Sequence, residues 1–152
     1  MAVTLSRGLL GFALAGSVAA AGCGVAAQGP PEIVLDRTAC SHCRMLISET
    51  VYAAAYQAAG AAPRVFDDIG CLLSASRSES GDLKFWFHDA SHGGWIEGTE
   101  ATFVASPQIR TPMGGGIIAY RDGAAADTAA AAQHGERIAT LAQLRTRTGG
   151  GQ

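Results

Sequence analysis

Leu83-Lys84-Phe85-Trp86-Phe87-His88 alternates side by side and is rich in aromatics, the pattern of a strand with one buried face. Upstream, Ser80-Gly81-Asp82 closes a helix that Asp67 or Asp68 can cap and that runs to about Ser78. Ile69, Leu72 and Leu73 fall on its buried side. Before it, Arg44–Ile47 and Tyr52–Gln57 read as strands joined by a turn near Ser48-Glu49-Thr50, and Gly60-Ala61-Ala62-Pro63 breaks the pattern. Downstream, Ala90–Gly94 is a loop, and Ala101–Ala105 and Ile117–Tyr120 are strands. Asp122-Gly123 turns the chain into an alanine-rich helix from Ala124 to Gln133, stopped by His134-Gly135-Glu136. A short strand at Arg137–Thr140, a helix at Leu141–Arg147 and a frayed tail from Thr148 complete the chain.

The element order is two strands, a helix and a strand, given twice. The expected class is therefore α+β, with two small, related ββαβ units at residues 36–90 and 91–148. Each half is near the size at which one core is marginal, so the halves should pack together. The chain has 152 residues and is 48% hydrophobic, much of it alanine, so the core rests on a few larger side chains. A formal charge of −2 and the lack of any basic cluster exclude a nucleic-acid partner.

Residues 1–22 read as a lipoprotein signal peptide. Arg7 precedes an uncharged run from Gly8 to Ala21, and Ala20-Ala21-Gly22-Cys23 ends it in a lipobox-like arrangement. Cleavage before Cys23 would leave that thiol to carry the lipid, with residues 23–35 as a tether rich in Gly, Ala and Pro. Ala20 stands where leucine is usual, and an ordinary signal peptide is the alternative. The expected location is the cell envelope, on a membrane through the lipid and facing the periplasm or outer surface.

The chemistry gathers at Cys40-Ser41-His42-Cys43-Arg44-Met45. Thiolate and thioether sulfur are soft donors that select Cu(I). On an extended segment Cys43 and Met45 share one side and can bind one ion together. A thioredoxin-like pair would want this CxxC at a helix start, a zinc ribbon a second CxxC, and a c-type haem a histidine at Arg44. A plain structural disulfide stays open. Thr111-Pro112-Met113-Gly114-Gly115-Gly116 puts a methionine where few neighbours can pack, either in a functional loop or as a buried anchor. Cys71 reads as a buried thiol, His88 and His92 flank a loop, and His134 stands at a helix end near the last carbonyls. Asp67-Asp68 reads as a helix cap rather than a catalytic pair, and no hydrolase triad or phosphate loop is present.

Taken in order, Cys23, Cys40–Met45, Val65-Phe66-Asp67-Asp68-Ile69-Gly70-Cys71, Trp95–Val104 and Thr111-Pro112-Met113-Gly114 resemble the NosL family of copper-binding envelope lipoproteins, accessory to nitrous-oxide reductase maturation. The resemblance implies two ββαβ units, one Cu(I) site with ligand roles on Cys43, Met45 and Met113, and delivery of copper to the reductase's maturation machinery. Arg44 departs from it, standing where the family usually has glycine, and on a strand its side chain would point away from Cys43 and Met45. The expected protein is thus a copper chaperone and not an enzyme. A thiol–disulfide oxidoreductase using Cys40 and Cys43, or a structural disulfide-bonded lipoprotein, are the alternatives. Lipidation of Cys23 would leave three thiols, an odd number in an oxidising compartment. A Cys40–Cys71 bridge would spare Cys43 and close a loop of about thirty residues, worth up to about 3–4 kcal/mol. The alternative is that Cys40 is itself a ligand and Cys71 a buried thiol.

Overall fold

A computed structural model describes residues 29–149, so the leader, Cys23 and the tether as far as residue 28 lie outside the described residues. Two antiparallel sheets carry the architecture. The first has the order β2-β1-β3-β4, with β1 at Ala54–Ala58, β2 at Arg64–Phe66, β3 at Leu83–His88 and β4 at Trp95–Glu97. The second has the order β6-β5-β7, with β5 at Thr102–Ala105, β6 at Ile117–Tyr120 and β7 at Glu136–Ile138. Helix α1 (Ile69–Ser76) joins β2 to β3, α2 (Gly123–Ala132) joins β6 to β7, and α3 (Leu141–Gly149) ends the described chain. The fold is α+β; the first half runs ββαβ, and β5-β6-α2-β7 repeats that order in the second. Strand β4, which follows the division near residue 90, pairs with β3 and extends the first sheet.

Alternation along the strands explains how the halves share one core. On β3, Phe85 and Phe87 face the main core, and on β5 and β6 so do Phe103, Ile117 and Ala119. Their neighbours Val104, Ile118 and Tyr120 face the other side, where α2 docks through Ala126 and Ala130. That four-residue spacing puts two methyl groups on one helix face and lets the backbone lie close to the sheet. Phe87 and Phe103 meet edge to face across the two sheets at 4.8 Å, and both are fully buried. Ala54 and Ala55 of β1 are fully buried where β1 is an inner strand paired on both sides.

The first expected hairpin is wrong in detail. Arg44–Ile47 is not a strand. It makes only an isolated antiparallel bridge, Ala39 to Leu46, and Tyr52 belongs to a 3₁₀ turn at Thr50–Tyr52 that precedes β1. The true partner of β1 is β2, reached through Gly60 at φ +74. The break in the pattern at Gly60–Pro63 is the bend of this hairpin. At the end of α2, the backbone of His134 takes φ +46 and its N–H donates to the Ala131 carbonyl. The contact expected of His134 with the last carbonyls is therefore made by its backbone.

Candidate metal centre

Cys40 and Cys43 lie on a tight hairpin. The Cys40 N–H donates to the Met45 carbonyl at 2.8 Å, and the Arg44 N–H to the Cys40 carbonyl at 3.1 Å. Closing this four-residue loop places Arg44 at φ +70, the left-handed region that favours glycine. The side-by-side argument for Cys43 and Met45 on a regular strand therefore does not apply, nor does the expectation that a strand turns Arg44 away. The two residues are instead linked by the turn, where the Met45 backbone N–H faces the Cys43 sulfur. The hairpin docks on β2 through Ser41, whose N–H donates to the Val65 carbonyl at 2.8 Å. Strand β2 then runs straight into Asp67, Asp68 and α1, which carries Cys71 in its first turn.

This connection brings four ligand atoms together. One from each of Cys40, Cys43, Asp67 and Cys71 lies within 4.8 Å of all the others. Cys40 and Cys71 are buried, and Cys43 is partly exposed. The Cys43 thiol donates to the Asp67 carboxylate, 3.4 Å from both oxygens. All three thiols are unbridged. Cys40 and Cys71 are near each other, as the bridge expectation needs, but Cys43 stands equally inside the cluster and is not set apart from them.

Asp68 explains how the second loop is held. Its backbone is extended (φ −151, ψ 137), so its side chain leaves on the opposite side from that of Asp67. Asp67 meets Cys43, while Asp68 caps α1 through the Gly70 N–H at 2.5 Å. The Asp68 carboxylate also accepts from the Thr111 hydroxyl at 2.5 Å, the Met113 N–H at 3.1 Å and the Gly115 N–H at 3.4 Å. The glycines are needed for this approach. A Cβ at Gly115 would come within 2.5 Å of the Asp68 carboxylate, and one at Gly116, itself at φ +63, within 2.5 Å of the Ser106 carbonyl. Met113 is thereby pinned to the residue next to Asp67, with its side chain 49% exposed; Met45 is 50% exposed. Neither methionine is a buried anchor.

Burial pushes the Cys43 thiol above its ordinary value; the Met45 N–H acts against this, and Cys40 and Asp67 add to it. Burial likewise raises Cys71, with Cys40, Cys43 and Asp67 contributing in the same direction. The donor set is therefore three sulfurs beside one carboxylate, with two thioethers on the adjoining turn and loop. Soft sulfur in that number suits copper better than a hard cation. His88 and His92 do not join the cluster. His88 packs edge-on against Trp95 at 5.3 Å, and His92 faces Asp89 at 3.6 Å on the surface. Sequence reading missed Asp67 as a partner of Cys43, having taken Asp67-Asp68 as a cap. The run of two acids before a helix was the available signal, since only one residue can be the cap.

A model of the NosL family matches residues 31–148. The chain belongs to the NosL family. Membership assigns it to a copper-binding accessory class associated with the cell envelope, in accord with a cluster able to hold a metal. No individually curated protein matches the chain. Among the described residues, no helix is long and apolar enough to cross a membrane.

Proposed function

We propose that the protein is a copper(I) chaperone, held at an envelope membrane by lipid on Cys23, that delivers copper for maturation of a copper enzyme. The family likeness favours nitrous-oxide reductase as the recipient. The observation that carries the reading is the sulfur cluster beside two half-exposed methionines. Buried thiols give strong ligation, and exposed thioethers give a labile face from which an acceptor can take the ion. Cys43, Met45 and Met113 are the proposed transfer ligands, with the ion as cargo rather than a resident cofactor. The oxidoreductase alternative is disfavoured by the same geometry. A redox-active CxxC usually opens a helix, whereas Cys40 and Cys43 span a hairpin turn with no α-helix following it directly.

A competition titration with bicinchoninate tests the reading. The expected result is a 1:1 Cu(I) complex that Cys43→Ser weakens by at least about 100-fold, more than loss of an outer-shell partner costs. His134→Ala should bind as the parent does. Equal affinities for the two variants would sink the assignment. Zinc should bind more weakly wherever thioethers complete the site.

A further inference from the structure

The sulfur ligands lie on two levels of burial, and Cys43 joins the buried sulfurs while lying two residues before Met45 in the same turn. Cys40 and Cys71 are 0% and 4% exposed, whereas Met45 and Met113 are half exposed. The Cys43 sulfur lies within 4.8 Å of both buried sulfurs, and the same sulfur faces the Met45 backbone N–H. We propose that the site offers two alternative copper(I) positions sharing Cys43: an inner holding position with Cys40 and Cys71, and an outer transfer position with Met45 and Met113. The inference rests on the copper(I) reading above.

The inner position is close to the size that a metal needs. Three sulfurs about 2.3 Å from one trigonal ion stand about 4 Å apart. A triangle with every side at the 4.8 Å limit has its centre about 2.8 Å from each sulfur, so closing it takes an inward shift of about half an ångström per sulfur. Cys40 sits on the bonded arm of the hairpin and Cys71 on α1, both packed into the main core. Cys43 occupies the turn between, tethered through its thiol to Asp67. The turn is the part able to adjust, and it carries the shared ligand.

Transfer from the inner to the outer position is a ligand exchange. The bond from copper to the Cys43 sulfur is kept. Bonds to the Cys40 and Cys71 sulfurs break, and bonds to the Met45 and Met113 thioethers form. The two released thiolates take protons from water. Copper stays Cu(I), and no electron moves. The inner position has low access to an acceptor because two of its three sulfurs, those of Cys40 and Cys71, are buried, and the outer one presents copper at the surface.

The test uses the full chain with its methionines replaced by selenomethionine and loaded with one equivalent of Cu(I). X-ray absorption at the selenium edge then reports any Cu–Se contact. The expected result is no Cu–Se contact in the otherwise unmutated complex, and a clear contact in Cys71→Ser. In the competition titration, Cys71→Ser and Cys40→Ser should each bind at least about tenfold more weakly while keeping 1:1 stoichiometry. A Cu–Se contact of equal strength in the unmutated chain and in Cys71→Ser would overturn the inner position, even where the selective loss on Cys43→Ser keeps the chaperone reading intact. Failure of the unmutated chain to bind Cu(I) at all would overturn both. The selenium measurement on the unmutated chain decides the matter even if a cysteine variant folds poorly.

Discussion

Replacing Asp68 by alanine should cost about 3–5 kcal/mol of folding stability. The carboxylate is 1% exposed, and four donors converge on it: the Gly70, Met113 and Gly115 N–H groups and the Thr111 hydroxyl. Loss of the helix cap alone is worth about 1 kcal/mol. A hydrogen bond to a charged group is worth about 1.5–3 kcal/mol, and the contacts from Thr111 and Met113 are short enough to count. Gly115 at 3.4 Å adds little. The low end of the range applies to the loop bonds, because Met113 and its neighbours are exposed and water can replace the lost acceptor. Urea unfolding at constant m-value reads the loss directly. Thr111→Val and the double variant complete a cycle, with an expected coupling to Asp68 of about 1–3 kcal/mol. A loss of about 1 kcal/mol for Asp68→Ala, with no coupling to Thr111, would show that Asp68 only caps α1 and that the Met113 loop is held by something else. That result would refute the account of how the loop is positioned.

Three further outcomes are expected. Arg44→Gly should stabilise the chain by about 0.5–1 kcal/mol, since relief of left-handed backbone exceeds glycine's entropic cost; thermal unfolding should shift upward by about 2–5 °C, and no shift would remove the strain argument. Burial holds His88 below the usual imidazole value of 6.5, with Asp89 acting in the opposite direction. Its Nδ1 is buried and has no hydrogen-bond partner among the described residues. The unfolded chain therefore takes up that proton first, so stability is full above pH 6.5 and declines as the pH falls from there through the lower folded value. His88→Phe, which keeps a ring against Trp95, should flatten this part of the stability profile; an unchanged slope would reject the assignment. Cys23→Ser should move the protein from membranes to the soluble envelope fraction or block its processing, whereas palmitate labelling equal to the parent's would rule out the anchor.

Residue pattern carried most of the fold: periodicity marks β3 and α1, short apolar runs mark β5 and β6, and alanine-rich composition marks α2. It failed where a motif's residues are apolar for a reason other than strand packing. Met45 and Leu46 look like strand residues, yet both are about half exposed, and a hairpin turn with a left-handed arginine replaces the strand. The two-strand pattern was therefore placed one element too early, and Val65-Phe66, too short to show a period, was passed over as the partner of β1. At the site, the sequence displayed the sulfur ligands but not their levels of burial. Local spacing tied Cys43 to Met45, whereas Cys71 and Asp67 join the cluster only because β2 delivers the start of α1 beside the hairpin. The Asp67-Asp68 pair shows the limit most plainly. In extended backbone its side chains must diverge, one toward the Cys43 thiol and the other toward the methionine loop. Two adjacent acids thus connect the halves of the site, and exchanging Asp67 would disturb Cys43 while exchanging Asp68 would free Met113. The two substitutions should accordingly separate thiol positioning from thioether positioning, although the residues are neighbours in sequence.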